Sequence, residues 1–427
     1  METSQTWIAN VEIINAQLAK ESWYNTFWAK FSGNVDLSTD DNGNKVYKPS
    51  GQPINIMNQF IQEGRDNMLI PFLSDLTGSP VYGDTVLKGT GEDQSMKWLR
   101  TFVNQFRKAV MKKSGSMSEQ RQKIYKLYEE AKPQLSRWFA KWENQAIFQT
   151  MYEGVSPNLS TGTNSDGLGI ARRYHPNWYV LDGDVVTTIG TAGQTKTNTQ
   201  LDAAIGMTAA ADATCDSDLN ANALHDLRVV CMERRIPQMT TKSGHPFWCL
   251  ILHPQQAVSL MKDSTYQSGV QAAFTGKMLD APELSGAIGY FAGFAIYEDI
   301  IGIREWDETN TTFMGTTVSS RFDPTASTLG AGSARVYNAI VFGKNAIGKA
   351  VARDLHFTNE VDDHENTTEV GGAVINGYQR NEYFSETNAT LDNAGAFERA
   401  NATVADQDSS MAAENTGSLI FSTQEAT

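Results

Sequence analysis

The chain has 427 residues, 40% of them hydrophobic and 20% charged, and a formal net charge of −14. This ordinary globular composition excludes a chain that is disordered throughout, and no apolar run approaches the ~20 residues that cross a bilayer. The N-terminus has no basic region followed by an apolar one, which argues against a secretory signal, and the negative charge argues against tight coating of nucleic acid.

Residues 1–65 predict an arm rather than a domain. A short amphipathic helix is predicted around Val11–Phe31, with several aromatic residues on one side, and a polar loop rich in turn-forming residues follows it. A segment with so little core of its own needs another surface to cover these aromatic side chains. That surface can belong to a neighbouring copy of the chain.

Residues 79–115 predict extended structure. Apolar and polar residues alternate on either side of a glycine turn at 89–91, which favours a long, charged two-stranded hairpin. The first strand is predicted at Val81–Leu87 and the second at Trp98–Phe106. A helix over 96–111 is a rival prediction, because apolar residues there also recur at helical spacing. An isolated hairpin is marginally stable in water, so we expect it to lie on another surface.

The most regular pattern of the chain lies between Ser114 and Gly154. Ser116 and Glu119 predict a capping box at the start of a helix. Apolar residues then follow at steps of three and four, at Ile124, Leu127, Tyr128, Ala131, Leu135, Trp138, Phe139, Trp142, Ala146, Ile147 and Met151. This spacing places them on one helical face, and about 35 residues form a rod of roughly 50 Å. So long a helix, with one apolar and one basic face, is more typical of shells and assemblies than of compact enzymes.

Charge is distributed unevenly along the chain. Twelve basic residues lie between Lys97 and Lys141, against four acids up to Glu143, whereas fourteen acids occur from Asp354 onward against two arginines. A basic segment and an acidic end in one chain can pair between copies of that chain. Two solvated surfaces that never meet are an equally good interpretation.

The remainder of the chain predicts a mixed α/β region and then a polar end. The predicted elements are a helix at Asn222–Pro237, strands at 247–253, 291–300 and 334–342, and a helix that begins at Pro254. Residues 304–334 form a polar insertion between the last two strands. Residues 386–427 are rich in small polar and acidic residues and predict a flexible or partner-ordered tail.

Motifs of catalytic or metal chemistry are missing from the sequence. No P-loop, nucleophile elbow or H-E-x-x-H motif occurs. Cys215, Cys231 and Cys249 lack metal-ligand spacing, which predicts buried thiols in a reducing compartment. His253 has no partner in sequence, so a structural role is the favoured interpretation. We therefore predict no catalytic residue, cofactor or metal, and an enzyme with an unrecognised site stays open as an alternative.

Seven segments follow one another in a characteristic order, although each would be a weak signal alone. They are GRDNMLIPFL (64–73), GDTVLKGTGED (83–93), FRKAVMKKSGSMSEQR (106–121), LSRWFAKWENQAIF (135–148), LILHPQQAVSLMKD (250–263), GAIGYFAGFAIYED (286–299) and ARVYNAIVFGKNAIGKAVA (334–352). In this order they resemble the major capsid proteins of tailed bacteriophages, in particular the N-four-type phage major capsid family with the Hong Kong 97-type fold.

The resemblance implies an α+β fold and a shell-forming function. Its parts are an N-terminal arm (1–65), an extended hairpin loop with its flanks (66–115), a peripheral domain with a long spine helix and a β-sheet (116–200), an axial α/β domain (201–335, with the insertion 304–334), return strands of the peripheral domain (336–385) and an acidic polar tail (386–427). Hexamers and pentamers would form an icosahedral head around double-stranded DNA in the host cytoplasm. The implied partners are a portal and separate scaffold and decoration proteins. The resemblance implies no association with a membrane.

The same resemblance implies roles for three groups of residues. The spine helix would pack on its sheet through Leu135, Trp138, Phe139 and Trp142. The hairpin would contact a neighbouring subunit through Leu87, Lys88, Glu92 and Asp93. Lys88 is interpreted as a surface lysine rather than a cross-linking one. The residues that would contact packaged DNA, or acids of a neighbouring copy, are Lys123, Lys126, Lys132 and Arg137.

An encapsulin-like container is the first alternative to a phage head. It has the same fold but encloses cargo proteins. Such shells usually have a shorter arm before the hairpin and lack a polar tail like 386–427. The enzyme is the second alternative, and the missing catalytic motifs disfavour it.

Overall fold

The computed structural model describes residues 27–39, 45–48, 50–58, 67–73, 80–83, 96–111, 131–159, 175–190, 215–241, 244–275, 286–299, 312–313, 316–317, 334–362, 367–381, 384–385 and 417–426. The helices in these ranges are α1 (Ala131–Glu153), α2 (Ala221–Glu233), α3 (Pro254–Lys262), α4 (Ser264–Thr275) and a 3-10 helix at Phe27–Phe31. The strands are β1 (Ser32–Asn34), β2 (Asp36–Thr39), β3 (Lys45–Lys48), β4 (Ile54–Met57), β5 (Asn67–Leu73), β6 (Met96–Phe102), β7 (Asn104–Met111), β8 (Trp178–Asp182), β9 (Val185–Thr188), β10 (Met239–Thr240), β11 (Pro246–Leu252), β12 (Gly289–Phe291), β13 (Phe294–Glu298), β14 (Thr312–Phe313), β15 (Thr316–Thr317), β16 (Ala334–Phe342), β17 (Ile347–Asp362), β18 (Thr367–Arg380), β19 (Phe384–Ser385) and β20 (Ser418–Ala426).

One sheet has five strands in the order β1-β4-β17-β18-β7. The long strands β17 and β18 pair antiparallel at its centre, with register shifts between Val351 and His356. β4 lies parallel to the first residues of β17, and β7 lies antiparallel to β18. Helix α1 contacts β7, β17 and β18, so it covers one face of this sheet.

The second sheet has eight strands, seven of them in the order β12-β13-β11-β16-β20-β8-β9, with β10 paired to β11. Both of its faces are buried. Ile251 and Ile420 belong to a core that also contains residues of α1 and the five-stranded sheet. Leu250 and Phe421 point to the other face and join a core with residues of α2, α3 and α4. Burial on both faces explains why these strands read as continuous apolar runs rather than as alternating ones.

Several predicted elements are confirmed. The strands predicted at 247–253 and 334–342 correspond to β11 and β16, and a helix begins at Pro254. The long helix is confirmed over Ala131–Glu153, and its predicted beginning at Ser116 lies outside the described residues. Of the arm helix, only the 3-10 turn at Phe27–Phe31 belongs to the described part of the chain.

The predicted hairpin is present with a different first strand. β5 pairs antiparallel with β6, from Asn67 opposite Phe102 to Leu73 opposite Met96. Pro71 is compatible with β5 because this strand lies at the edge of its three-stranded sheet, β19-β6-β5. Residues 81–83, the described part of the strand predicted at Val81–Leu87, form none, and residues 84–87 lie outside the described residues. The rival prediction of a helix over 96–111 is wrong, since β6 and β7 occupy this stretch and enter different sheets.

The prediction of a polar tail at 386–427 is wrong for the last residues of that range. All nine residues of β20 pair with β16, and three of them also pair with β8. Leu419, Ile420 and Phe421 are fully buried. Three consecutive apolar residues are typical of a strand that is buried on both faces. The prediction missed this strand because most other residues of 386–427 are polar. Residues 386–416 lie outside the described part of the chain.

The eight-stranded sheet draws on more of the chain than the predicted axial segment 201–335. β8 and β9 come from the segment assigned to the peripheral domain, 116–200. Most of β16 and all of β20 come from beyond residue 335. Strand pairing joins segments that are distant in sequence, and a division of the chain into consecutive ranges misses such pairing.

Candidate functional site

Helix α1 lies on the five-stranded sheet through its apolar face. Leu135, Phe139 and Trp142 are 2%, 2% and 4% exposed. The ring of Phe106 in β7 stacks on Trp142 at a centroid distance of 3.8 Å and lies 5.6 Å from Phe139. Trp138 is half-buried and meets Phe139 edge to face at 5.0 Å. Three of the four predicted packing residues are therefore buried, and Trp138 lies at the rim.

The close approach of α1 to the sheet depends on Gly372 in β18. A Cβ atom at this position would lie 2.6 Å from Cε2 of Phe139 and 3.3 Å from Cε1 of Phe357. A side chain here would overlap the ring of Phe139 unless that ring moved, so the glycine leaves the space in which the ring packs against the sheet.

A buried polar network also joins α1 to the two central strands. Glu143 of α1 is 9% exposed and accepts a hydrogen bond of 2.9 Å from the hydroxyl of Tyr378 in β18. Nζ of Lys349 in β17 lies 3.4 Å from the same carboxylate oxygen, and Nδ2 of Asn376 donates to it, also at 3.4 Å. Burial, together with the Glu143 carboxylate, raises the pKa of Tyr378 well above its usual value, so the hydroxyl keeps its proton. We call these four residues the Glu143 network.

Arg380 of β18 holds the C-terminal end of α1. Its side chain is 1% exposed, and Nη1 donates to the backbone carbonyls of Met151 at 2.7 Å and Tyr152 at 3.3 Å. The last carbonyls of a helix lack partners within the helix, and the helix dipole is negative there. A buried cation at this position therefore both completes the hydrogen bonding of α1 and ties it to β18.

Sequence reasoning selected neither the Glu143 network nor Arg380. One signal was available, since Glu143 follows Phe139 by four residues and therefore lies on the apolar face of the helix. An acid on an apolar face predicts a buried partner. Lys349, however, is 206 positions further along the chain, and no local pattern identifies it.

The surface around Trp138 is basic. Arg137 and Lys141 of α1 are exposed, and so are Arg107 and Lys108 of β7. Nζ of Lys108 lies 5.6 Å from the ring centroid of Trp138, within the range of a cation–π contact. Because Arg137 and Lys141 are four residues apart on the helix, they project from the same side of α1.

The other predicted site residues lie largely outside the described residues. These are Leu87, Lys88, Glu92 and Asp93 of the hairpin loop and Lys123 and Lys126 of the helix. Lys132 belongs to the first turn of α1 as described. Residues 80–83 of the hairpin loop are described, and Tyr82 there is 77% exposed.

No metal-binding arrangement occurs in the described part of the chain, which has no group of three or more His, Cys, Asp or Glu side chains placed to hold an ion. Nor does any described helix have the length and apolar character to cross a membrane. His253 begins α3, accepts a hydrogen bond from the N–H of Gln255 and stacks on Tyr337 at 4.4 Å. Burial lowers the pKa of His253 to about 4, so it is neutral and structural at pH 7. The three cysteines are buried free thiols, as predicted.

Family comparison identifies the class of protein that has this helix-on-sheet architecture. The sequence model of the family described as phage capsid protein matches residues 36–396. The chain belongs to this family. No curated protein matches this capsid protein.

Three solved capsids share its fold at low sequence identity. The capsid of Ralstonia phage GP4 is 15% identical, with a TM-score of 0.57 over 94% of this chain and 92% of that one. The acidic stable capsid of Helicobacter pylori bacteriophage KHP30 is 13% identical, with a TM-score of 0.56 over the same shares. The capsid of cyanophage Pam1 is 15% identical, with a TM-score of 0.51 over 88% of this chain and 89% of that one.

These findings confirm the predicted class of protein and fold. The protein is a major capsid protein of a tailed phage, with the α+β, Hong Kong 97-type fold, and forms the head of the virion. The family match disfavours both the encapsulin-like container and an enzyme.

Proposed function

We propose that this capsid protein forms the head as hexamers and pentamers, arranged with icosahedral symmetry around double-stranded DNA. The observation that supports it most is the family match over residues 36–396. A closed shell of many identical chains needs the same few contacts repeated by symmetry. Within the tailed phages, we assign the chain to the N-four type.

The two sheets have different roles in this proposal. Helix α1 and the five-stranded sheet form the peripheral domain, because the Glu143 network and Arg380 make them one stiff unit. The eight-stranded sheet, with α2 to α4, forms the axial domain, which meets its copies at the centre of each hexamer or pentamer. The hairpin of β5 and β6, with Leu87, Lys88, Glu92 and Asp93 in its loop, crosses a neighbouring subunit, and so does the arm.

Further partners belong to this proposed assembly. A portal provides the entrance for DNA, and separate scaffold or decoration proteins assist or stabilise the shell. Assembly takes place in the host cytoplasm.

The basic surface around Trp138 is proposed to bind packaged DNA. Arg137 and Lys141, and with them Lys123, Lys126 and Lys132, would contact phosphates without reading sequence. Acids of a neighbouring copy, such as the exposed Asp354 and Glu360 of β17, are the alternative partner.

A double substitution, Arg137→Gln with Lys141→Gln, separates the two partners. Intact shells with reduced DNA content are expected if DNA is the partner, and failure to form shells from folded protein indicates a neighbouring copy. Normal shells with normal DNA content contradict both. Asn222→Ala, at an exposed position of α2, is the control for handling and expression.

Electron microscopy of the expressed chain tests the assembly itself. The protein is produced alone and together with the products of its neighbouring genes, and particles are examined by negative staining and assayed for DNA. Closed particles that contain DNA are the expected result. Persistent monomers under every condition contradict the proposal, and particles filled with protein cargo would favour the container.

A further inference from the structure

The chain passes from one sheet to the other through a link of four residues. β16 ends at Phe342 in the eight-stranded sheet, and β17 begins at Ile347 in the five-stranded sheet. We call residues 343–346 the junction. Among the described residues it is the shortest connection between the two sheets, so its conformation bears directly on their relative orientation.

Backbone hydrogen bonds tie the junction to segments on both sides of it. Within the junction, the backbone N–H groups of Gly343, Lys344 and Asn345 donate to the carbonyl oxygens of Gly417 (2.8 Å), Pro237 (2.9 Å) and Gln52 (3.0 Å). The N–H of Ile347, the residue that follows the junction, donates to the carbonyl of Pro53 (3.0 Å). Residues 237 and 417 flank elements of the eight-stranded sheet, whereas residues 52 and 53 directly precede β4 of the five-stranded sheet. Each sheet therefore supplies fixed acceptors for the same short stretch of backbone.

Three asparagines complete these contacts. Asn345 has a φ of +58°, a left-handed conformation that asparagine tolerates better than most residues. Nδ2 of Asn55 donates to Oδ1 of Asn345 at 2.9 Å, and Nδ2 of Asn381 donates to the Asn345 carbonyl at 2.6 Å. Asn55 and Asn381 are 1% and 3% exposed, whereas Asn345 is half-buried, so these bonds join a surface residue to two buried ones. We call Asn55, Asn345 and Asn381 the asparagine cluster.

The junction is also closely surrounded. Gly417 has a φ of +63°, and a Cβ atom on it would lie 2.7 Å from the carbonyl oxygen of Lys344 and 3.0 Å from Cα of Ala346. The start of β20 therefore lies directly against the junction backbone. A change in the direction of the junction would require β20 or β4 to move with it.

We propose that the junction and its asparagine cluster set the angle between the two sheets. The shared apolar core, which includes Trp28, Phe342 and Tyr378, holds the sheets together, but apolar burial has no preferred direction. Hydrogen bonds do have one, because they weaken steeply away from linear geometry. The core thus provides cohesion and the junction provides orientation. In a shell built from many copies, this angle determines the curvature at which copies join, a second step that rests on the proposed function.

Distance measurements between two spin labels test the angle without any need for assembly. The labels are attached to Met111→Cys on β7 and Val185→Cys on β9, which are 64% and 60% exposed at their native residues. The native cysteines are buried and do not compete for the label. The probe substitution is Asn345→Gly, which keeps the left-handed backbone accessible and removes the side-chain acceptor.

We expect Asn345→Gly to displace or broaden the distance distribution, and Asn55→Ala to do so to a smaller extent. Asn222→Ala on the exposed face of α2 is the matched asparagine control and is expected to leave the distribution unchanged. Should Asn345→Gly fail to fold, judged by its chemical denaturation curve, Asn55→Ala decides the question. Distributions identical to the parent in every folded junction variant overturn the proposal.

Particle diameter then tests the step from angle to curvature. Shells of the junction variants are expected to have altered or heterogeneous diameters, or to remain open. A changed angle with wild-type diameters overturns the curvature step alone. If the wild-type chain forms no shells, the proposed assembly fails, while the distance measurement still decides whether the junction sets the angle.

Discussion

Two buried glutamates show how differently the two sheets hold a carboxylate. Glu143 of α1 faces the five-stranded sheet and has a cation, Lys349, at 3.4 Å. Glu425 of β20, in the eight-stranded sheet, is fully buried and accepts hydrogen bonds from neutral donors, the Thr423 hydroxyl at 2.7 Å and the Leu219 N–H at 3.1 Å. Burial raises the pKa of Glu425, although its hydrogen bonds partly oppose the change.

Among the residues whose side chains the structure describes, the difference is one of charge compensation. A buried carboxylate is stable as an anion when a cation shares its environment, and otherwise it favours the protonated form. Glu143 therefore connects helix to sheet beside a cation, and its removal takes away the carboxylate oxygen that lies 3.4 Å from Nζ of Lys349. Glu425 contributes mainly as a hydrogen-bonding group, and a neutral side chain of the same shape can replace it.

The largest expected effect comes from the apolar part of the α1 contact. Trp142→Ala removes the ring on which Phe106 stacks and should lower the free energy of unfolding by about 4 kcal/mol. Chemical denaturation of the unassembled chain measures this. Trp138→Ala, at the half-buried rim, is the control and should have less than half the effect. If Trp142→Ala costs less than the loss of Glu143, the polar network rather than apolar packing dominates the contact.

The second prediction sets the two glutamates directly against each other. Glu143→Gln should lower the free energy of unfolding by about 3 kcal/mol, because the buried Lys349 then loses the carboxylate charge that lies 3.4 Å from it. Glu425→Gln should change it by less than about 1 kcal/mol at pH 7. Adding Lys349→Met to Glu143→Gln should recover part of the loss, as a double-mutant cycle would show. Equal effects of the two Glu→Gln substitutions would contradict the comparison.

The third prediction concerns pH. An acid whose pKa is higher in the folded than in the unfolded chain binds its proton more tightly when folded. The free energy of unfolding should therefore fall as pH rises from the ordinary glutamate range through the raised pKa of Glu425. Glu425→Gln removes this contribution, so the variant should equal wild type in acid and exceed it increasingly as pH rises toward 8. Denaturation curves across this range measure it, and parallel pH profiles would contradict it.

The smallest predicted effect lies in the eight-stranded sheet away from both acids. Ala292 has a φ of +51° in the two-residue turn between β12 and β13, followed by Gly293 at +90°. Asn-Gly is the preferred sequence for such a turn. Ala292→Asn should thus raise the free energy of unfolding by about 0.5–1 kcal/mol, equally at every pH. A loss of stability would show that the Ala292 methyl group contributes more than the strain costs.

Local patterns predicted some elements of this fold and missed others. The spacing of Leu135, Phe139 and Trp142 predicted the buried face of α1, because helical periodicity is written within a few turns of sequence. The strand at 247–253 was visible because both of its faces are apolar. In contrast, the position of β20 depends on its pairing with β16 and β8, which no local pattern shows. Residues 386–427 were predicted to be a polar tail from their overall composition, in which the three apolar residues Leu419 to Phe421 are a small part.

The contacts that fix α1 show the same limit. Glu143 was counted as one of four acids in a basic segment, although its helical position already placed it on the apolar face. Its partners in β17 and β18 become neighbours only when the chain has folded. The contact between Phe139 and Gly372 also forms only in the folded chain. The residues around Gly372 in sequence do not indicate that an aromatic ring will pack against it.

The position of β20 has a consequence for the synthesis of the protein. A ribosome makes residues 417–426 after every other strand of the eight-stranded sheet, yet this strand lies between β16 and β8 and contributes to both apolar cores. The sheet therefore cannot close until residues 417–426 have been synthesised. A product that terminates before Gly417 lacks the middle of its sheet, so incomplete translation products are excluded from the native subunit by the strand order itself.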